Sequence, residues 1–180
     1  MRQRDGTLVA MLAMMPMRHR ALSELRIGHS ILIMGETLKL VLHEDLTKTG
    51  VPWGADVPEP AAGLLWRYLR ETRPFLMSRR EYRHDALWVG MAGVPMSYSY
   101  IGRRIPDITR RLTGVNIPPH FFRDAAATPL VRTSPQAARV IAPVLGHADH
   151  RTAERHYIQA GSIEAGRDYA DMLRWLRRQR

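Results

Sequence analysis

The chain has 180 residues and a formal net charge of +10, because 27 lysine and arginine residues stand against 17 aspartate and glutamate residues. It has no cysteine, which excludes disulfides and thiolate metal sites and favours a reducing compartment, the cytoplasm. A hydrophobic content of 45% suffices for one buried core, and the excess of positive charge favours a polyanion as partner.

The N-terminal segment predicts two helices separated by a proline. Strong helix formers run from Thr7 to Met15, Pro16 ends that helix, and a second helix begins at Arg18 and continues to Arg26. Arg18 would then lie at a helix start, where backbone N–H groups also favour an anion. The apolar stretch before Arg18 is far too short to span a membrane and has no signal-peptide features, so we expect a buried helix and no membrane association.

The next segment predicts a small antiparallel sheet. Residues Ile31–Met34 and Thr37–His43 alternate apolar and polar side chains around a Gly-containing turn, which is typical of a β-hairpin. Lys48-Thr49-Gly50 forms the following turn, and a short strand runs towards Val57. The prediction is a three-stranded sheet with Lys48 at a loop tip, where a solvated turn lysine is the ordinary alternative.

The middle of the chain predicts a helix opened by Pro58 and Pro60 and ended by Arg73-Pro74. A short strand over 87–90 then pairs with 94–97. Ser97 or Ser99 caps a further helix, which Pro106 interrupts near its start. This helix carries four arginines that we expect either to contact backbone phosphates of a polyanionic partner or to form a solvated charged face: Arg103, Arg104, Arg110 and Arg111.

The last third of the chain carries the residue types of a phosphodiester-cutting site. A helix opened by Pro118-Pro119 bears His120 and Arg123, one helical turn apart, and His147 follows a helix that ends at Gly146. A phenol such as Tyr157 can form a covalent phosphoryl ester, and a guanidinium can donate two parallel hydrogen bonds to a phosphate. Histidines can donate hydrogen bonds to phosphate oxygen or move protons near neutrality.

In order, His120-Phe-Phe-Arg123, Ala127-Thr128, Leu145-Gly146-His147 and Tyr157 resemble the motifs of the tyrosine recombinase, or phage integrase, family. Arg18, with leucines after it, is similar to the family's first arginine, and Lys48-Thr49-Gly50 is similar to its hairpin lysine. The resemblance covers nearly the whole chain. It implies an α+β, mainly α-helical catalytic domain spanning residues 1–180, with a small three-stranded antiparallel sheet and without the N-terminal core-binding domain.

The resemblance also implies the chemistry. Arg18 and Arg123 would bind the scissile phosphate with His147 as a further donor, while Lys48 would protonate the leaving 5′ oxygen. His120 would assist proton transfer, and Tyr157 would attack phosphorus to give a 3′-phosphotyrosine. No metal or cofactor is implied, the partner is double-stranded DNA, and a C-terminal helix is often exchanged between protomers. Here that helix, with a stripe of Ala170, Leu173 and Leu176, would either dock on a neighbour or pack on its own core.

Several features depart from the family pattern and leave alternatives open. Ala21 stands where the family commonly has an acidic residue, Asp124 where histidine is commonest, and Arg20 competes with Arg18. Tyr157 lies ten positions after His147, so Tyr169 is kept as an alternative nucleophile.

The alternative functions are a noncatalytic DNA-binding module, a type IB topoisomerase, and a metal-dependent hydrolase using His147, Asp149 and His150. The sequence specifies neither the target site nor a choice between integration, excision and resolution.

Overall fold

The computed structural model describes residues 2–47, 50 and 52–133, with the backbone alone for 127–133. The chain divides into two compact units, Met1–Arg123 and Asp124–Arg180. The helices predicted beyond residue 133 lie outside the described residues. That residues 1–180 act as a single catalytic domain stays a prediction.

The first helix, α1, spans Arg2–Met14 and begins five residues before the predicted start. Two charged residues in the first turn of α1, Arg4 and Asp5, are buried, although charged residues at a chain end are ordinarily expected on the surface. The Arg4 guanidinium donates to the Asp5 carboxylate and to the Val89 carbonyl oxygen, both at 2.9 Å. The other Asp5 oxygen accepts from Arg104. Burial is tolerated because the charges are paired and hydrogen-bonded.

The second helix, α2, is short and spans His19–Ser23. Arg18 is its N-cap residue, with extended backbone angles of φ −66° and ψ 148°, so the prediction that Arg18 lies at a helix start is confirmed. The helix ends three residues before Arg26, the predicted end. The N–H of Glu24 closes the last turn by donating to the carbonyl oxygens of Arg20 and Ala21.

The predicted sheet is confirmed, with strands β1 Ile31–Met34, β2 Thr37–Leu42 and β3 Trp53–Asp56 in the order β1-β2-β3. Both pairs are antiparallel, and the central strand places Leu40 opposite Ile31 on one side and Ala55 on the other. Alternate leucines of β2 are buried, as the period of two requires for a sheet with one covered face.

The third helical region consists of α3 Ala61–Arg67, a π-helical turn Tyr68–Thr72, and α4 Arg73–Met77. The prediction that Arg73-Pro74 ends this helix was wrong. Pro74 lies in the first turn of α4, where its missing N–H needs no helical acceptor, so the chain continues to Met77.

Helix α5 spans Tyr98–Thr113 and is capped as predicted, because the Ser97 hydroxyl oxygen accepts from the N–H of Tyr100. Pro106 does not interrupt it, which corrects the prediction. Isoleucines at 101, 105 and 108 are buried along one face, and this packing outweighs the loss of one backbone hydrogen bond. Before α5, residues 88–96 pair through an isolated bridge between Val89 and Pro95 rather than through full strands.

The hydrophobic core of the first unit is formed by α1, α2, the sheet, α3 and α5, together with Leu87 and Trp88. A last described helix, α6, spans Pro119–Thr133 and carries His120 and Arg123 as predicted. None of the helices in the described part of the chain is long and apolar enough to cross a membrane. The predicted fold class, mainly helical with a three-stranded antiparallel sheet, is confirmed.

Candidate functional site

Arg18 is half-buried at the start of α2, and Met17 and Ala21, which precede and follow it in the sequence, are buried. Burial lowers the pKa of its guanidinium, although an arginine stays charged at any working pH. Over residues 2–47, 50 and 52–133, no hydrogen bond or ion pair engages this guanidinium. The N-cap side chain is therefore available for an anion.

Arg123 reaches from α6 to the segment that leads into α2. Its Nη1 donates to the carbonyl oxygen of Pro16 at 2.7 Å, although the two residues lie 107 positions apart in the sequence. Pro16 is buried and lies two residues before Arg18. The fold therefore brings Arg123 to the short segment that ends in Arg18, as a shared phosphate site requires.

His120 lies one turn before Arg123 on α6 and is exposed to solvent. Its ring centroid is 4.7 Å from that of Phe121, in a tilted arrangement. His120 and Arg123 therefore lie on one helix, a single turn apart.

Lys48, His147 and Tyr157 lie outside the described residues, and so does Tyr169. Lys48 falls in the sequence between β2 and β3, the two strands predicted to flank it. The roles of these four residues stay predictions, as do those assigned to Arg18, His120 and Arg123.

Ala21, which occupies the position where an acidic residue was expected, is fully buried in the core. A carboxylate there would have to be desolvated, so alanine suits this packing. The described part of the chain places no carboxylate against Arg18. One contact of Arg123 is with a neutral group, the carbonyl oxygen of Pro16, which accepts from Nη1.

The buried segment Leu87–Val89 is hydrogen-bonded to the end of α2 and to the residues that follow it. The indole Nε1 of Trp88 donates to the carbonyl oxygen of Leu22 at 2.8 Å, and the N–H of Leu87 donates to the carbonyl oxygen of Leu25 at 2.8 Å. These bonds satisfy carbonyls at and beyond the end of a five-residue helix that has few of its own. Sequence reasoning missed Trp88, because a tryptophan in an apolar run is ordinarily read only as core.

The four arginines of α5 have different environments. Arg104 is half-buried and its guanidinium is paired with the buried Asp5, which raises the pKa of Arg104. The other three are exposed, namely Arg103, Arg110 and Arg111. Three of the four predicted phosphate contacts therefore have a solvent-exposed cation, and the fourth is engaged inside the fold.

A cleft of about 930 Å³ opens beside the end of α2 and is lined by polar side chains that include His29, His43 and Asp85. The Asp85 carboxylate pairs with Arg26 at 2.9 Å. Over the described ranges no group of three or more histidine, aspartate or glutamate side chains is arranged to hold a metal ion. The hydrolase alternative rested on His147, Asp149 and His150, which lie outside those ranges.

The Phage integrase family matches residues 2–162. No curated protein matches significantly. Similar solved structures include the XerH site-specific recombinase bound to difH substrate in a pre-cleavage complex, with a TM-score of 0.65 and 18% identity over 87% of this chain and 42% of that chain.

Two further solved structures show the same fold. The post-cleavage complex of XerH with a palindromic difH substrate has a TM-score of 0.65 and 17% identity over 87% of this chain and 42% of that one. The XerA recombinase has a TM-score of 0.64 and 22% identity over 86% of this chain and 53% of its own. The chain thus spans about half of the recombinases it matches, or less.

The family match and the structural matches agree with the fold described above, which is mainly helical with a three-stranded antiparallel sheet. The match to the family extends over most of the sequence and includes Arg18, His120, Arg123, His147 and Tyr157. The structural likeness, at identities of 17% to 22%, establishes a shared fold. The chain therefore belongs to the phage integrase family of tyrosine recombinases.

Proposed function

We propose that this chain performs site-specific DNA recombination, cutting and rejoining strands through a 3′-phosphotyrosine at Tyr157. The observation that carries the proposal is the hydrogen bond from Arg123 to the Pro16 carbonyl oxygen, which joins α6 to the segment that ends in Arg18. Two arginines from distant parts of the sequence can thereby act on one phosphate.

The cleavage step follows from the chemistry of these groups. The Tyr157 oxygen attacks phosphorus, so that a Tyr O–P bond forms while the bond from phosphorus to the 5′ oxygen breaks. Arg18 and Arg123, with His147, stabilise the added negative charge on the non-bridging oxygens. Lys48 gives its proton to the leaving 5′ oxygen, and His120 assists proton transfer at the phenol.

Rejoining is the same step in reverse. A 5′-hydroxyl from another strand attacks the phosphotyrosine, restores a phosphodiester and releases Tyr157 as the free phenol. The ester conserves the energy of the broken bond, so the cycle needs neither a nucleotide nor a metal.

Double-stranded DNA is the proposed partner, and the cytoplasm the proposed site of action. The net charge of +10 and the three exposed arginines of α5 support contacts to backbone phosphates, which add affinity but little sequence preference. The DNA-bound complexes of XerH, which shares the fold, support the same partner. We also propose that residues 1–180 act as one catalytic domain.

A C-terminal helix bearing Ala170, Leu173 and Leu176 is proposed to dock on a neighbouring protomer on DNA. Light scattering after gel filtration, with and without DNA, tests this. A complex that contains one protein copy per DNA site contradicts it.

Covalent trapping tests the cleavage chemistry without knowledge of the target. A pool of nicked duplexes with randomised sequence is incubated with the protein, denatured, and searched for DNA that stays attached to protein. Wild type and Tyr169→Phe should both yield an adduct, and Tyr157→Phe should yield none.

Sequencing the trapped DNA then gives the site for quantitative assays. If wild type forms no more adduct than Tyr157→Phe, the enzymatic function is refuted. DNA binding that persists in that case identifies a noncatalytic binding module.

A further inference from the structure

His19, the residue after Arg18, fits closely against α5. Its ring stacks on the ring of Tyr98 with centroids 4.0 Å apart and planes inclined by 27°. A Cβ atom added at Gly102 would lie only 2.7 Å from His19 Cε1 and 3.3 Å from Nε2. The imidazole therefore occupies the space that a side chain at position 102 would need.

A glycine in the middle of α5 needs a reason, since it costs about 0.5–1 kcal/mol relative to alanine in a helix interior. Gly6 in α1 has no such neighbour, because an added Cβ there meets nothing within 4 Å. At position 102, by contrast, the absence of a side chain is what admits the His19 ring. Gly102 thus leaves room for one of the contacts between α2 and α5.

The His19 imidazole is also unusual in its hydrogen bonding. Its Nε2 is buried and has no hydrogen-bond partner. Burial lowers its pKa, so the ring stays neutral beside the Arg18 cation. A buried nitrogen without a partner is costly, and such costs concentrate where position matters more than stability.

Few other interactions fix the position of Arg18. No side-chain capping bond is made at the start of α2, and the helix has only five residues, so its own hydrogen bonds hold it weakly. The guanidinium of Arg18 makes no hydrogen bond within the described ranges that would hold it before substrate arrives. What determines its direction is therefore the backbone at residues 18 and 19.

We propose that His19 is a positioning residue for Arg18. The packing of its ring against Gly102 and Tyr98 determines the direction in which the Arg18 side chain projects from the start of α2. The proposal deepens the proposed function and rests on it, because Arg18 is there assigned to the scissile phosphate. It also assigns Gly102 a role in the reaction, through the space that it leaves for the His19 ring.

A double-mutant cycle tests the pair. Gly102→Ala should displace the ring, and a misplacement of about 1 Å in a phosphate-binding group lowers the cleavage rate constant roughly tenfold to a hundredfold. His19→Ala should lower it by a similar factor. In the His19→Ala background no ring remains to be displaced, so adding Gly102→Ala should change the rate less than about twofold. Gly6→Ala is the matched control and should leave the rate unchanged.

The measurement is single-turnover cleavage of the trapped site at saturating protein. A loss of folded protein lowers the amplitude, because fewer molecules react, whereas mispositioning lowers the rate constant of the molecules that do react. The proposal is overturned if Gly102→Ala changes only the amplitude, or if it costs the same factor in both backgrounds.

A second measurement separates this inference from the proposed function. The Cα and Cβ chemical shifts of Arg18 report its backbone angles and require no DNA. They should change in Gly102→Ala, stay constant in Gly6→Ala, and show no further change when Gly102→Ala is added to His19→Ala. Unchanged shifts in Gly102→Ala refute the positioning role. If the shifts change in Gly102→Ala but the wild-type protein forms no adduct, the effect of His19 on the Arg18 backbone stands and only the enzymatic function is refuted.

Discussion

The buried hydroxyl of Tyr68 is predicted to stabilise the segment Leu87–Val89, which packs against α2. It donates to the carbonyl oxygen of Leu87 at 2.9 Å and accepts from the N–H of Val89 at 3.0 Å. Both backbone residues are fully buried, so neither group can turn to water after Tyr68→Phe. An unsatisfied buried group costs about 1–3 kcal/mol, and we expect the variant to lose roughly 3 kcal/mol of unfolding free energy for the two. The same segment carries Trp88, which holds α2.

Urea denaturation followed by tryptophan fluorescence measures this loss, and thermal unfolding should show a midpoint lower by about 6–12 °C for a chain of this size. Tyr82→Phe is the control, because Tyr82 is 75% exposed and the change should stay within about 0.5 kcal/mol. A loss below about 1 kcal/mol in Tyr68→Phe would refute the reasoning.

The same hydroxyl predicts a dependence on alkaline pH. Burial raises the pKa of Tyr68 from 10.0 to about 12. The unfolded chain therefore loses this proton first, and the contribution of Tyr68 to stability is complete below pH 10.0 and declines as pH rises towards about 12. The stability gap between wild type and Tyr68→Phe should narrow over that range, and a constant gap contradicts the assignment.

Three further predictions concern charge. Asp5→Asn leaves the buried Arg4 without its counterion and should cost about 3–5 kcal/mol in urea denaturation; a loss under 1 kcal/mol contradicts the buried pairing. Burial lowers the pKa of His19 and His84, so the unfolded state binds more protons below pH 6.5 and stability should fall as pH drops from 7 to 5. His84→Gln should flatten that decline, and an unchanged slope is the contrary result. Arg110→Ala should reduce the slope of log affinity against log salt for DNA by roughly one, while an unchanged slope removes this residue from the phosphate contacts.

Local patterns in the sequence determined most of the secondary structure. Alternating apolar residues placed β1 and β2, and Ser97 before an apolar-periodic run placed the start of α5, because these signals act over only a few residues. The same reasoning failed at Pro74 and Pro106. A proline weakens a helix locally, but other features decide whether the helix continues. At Pro74 the feature is the π-helical turn before it, and at Pro106 it is the apolar face of α5, which packs against residues distant in the sequence.

Residue types and their order also determined the family and the candidate chemistry, since a nucleophile, cations and proton donors are recognisable one by one. Only the tertiary structure decided what surrounds Arg18 and Arg123. The carbonyl of Pro16 receives Arg123, Trp88 supports the end of α2, and Gly102 leaves space for His19. It also decided that Arg104 pairs with Asp5 whereas Arg103, Arg110 and Arg111 face solvent. These contacts join residues far apart in the chain, and neither a backbone carbonyl nor a glycine indicates in the sequence which distant residue it will meet, so only the folded structure reveals them.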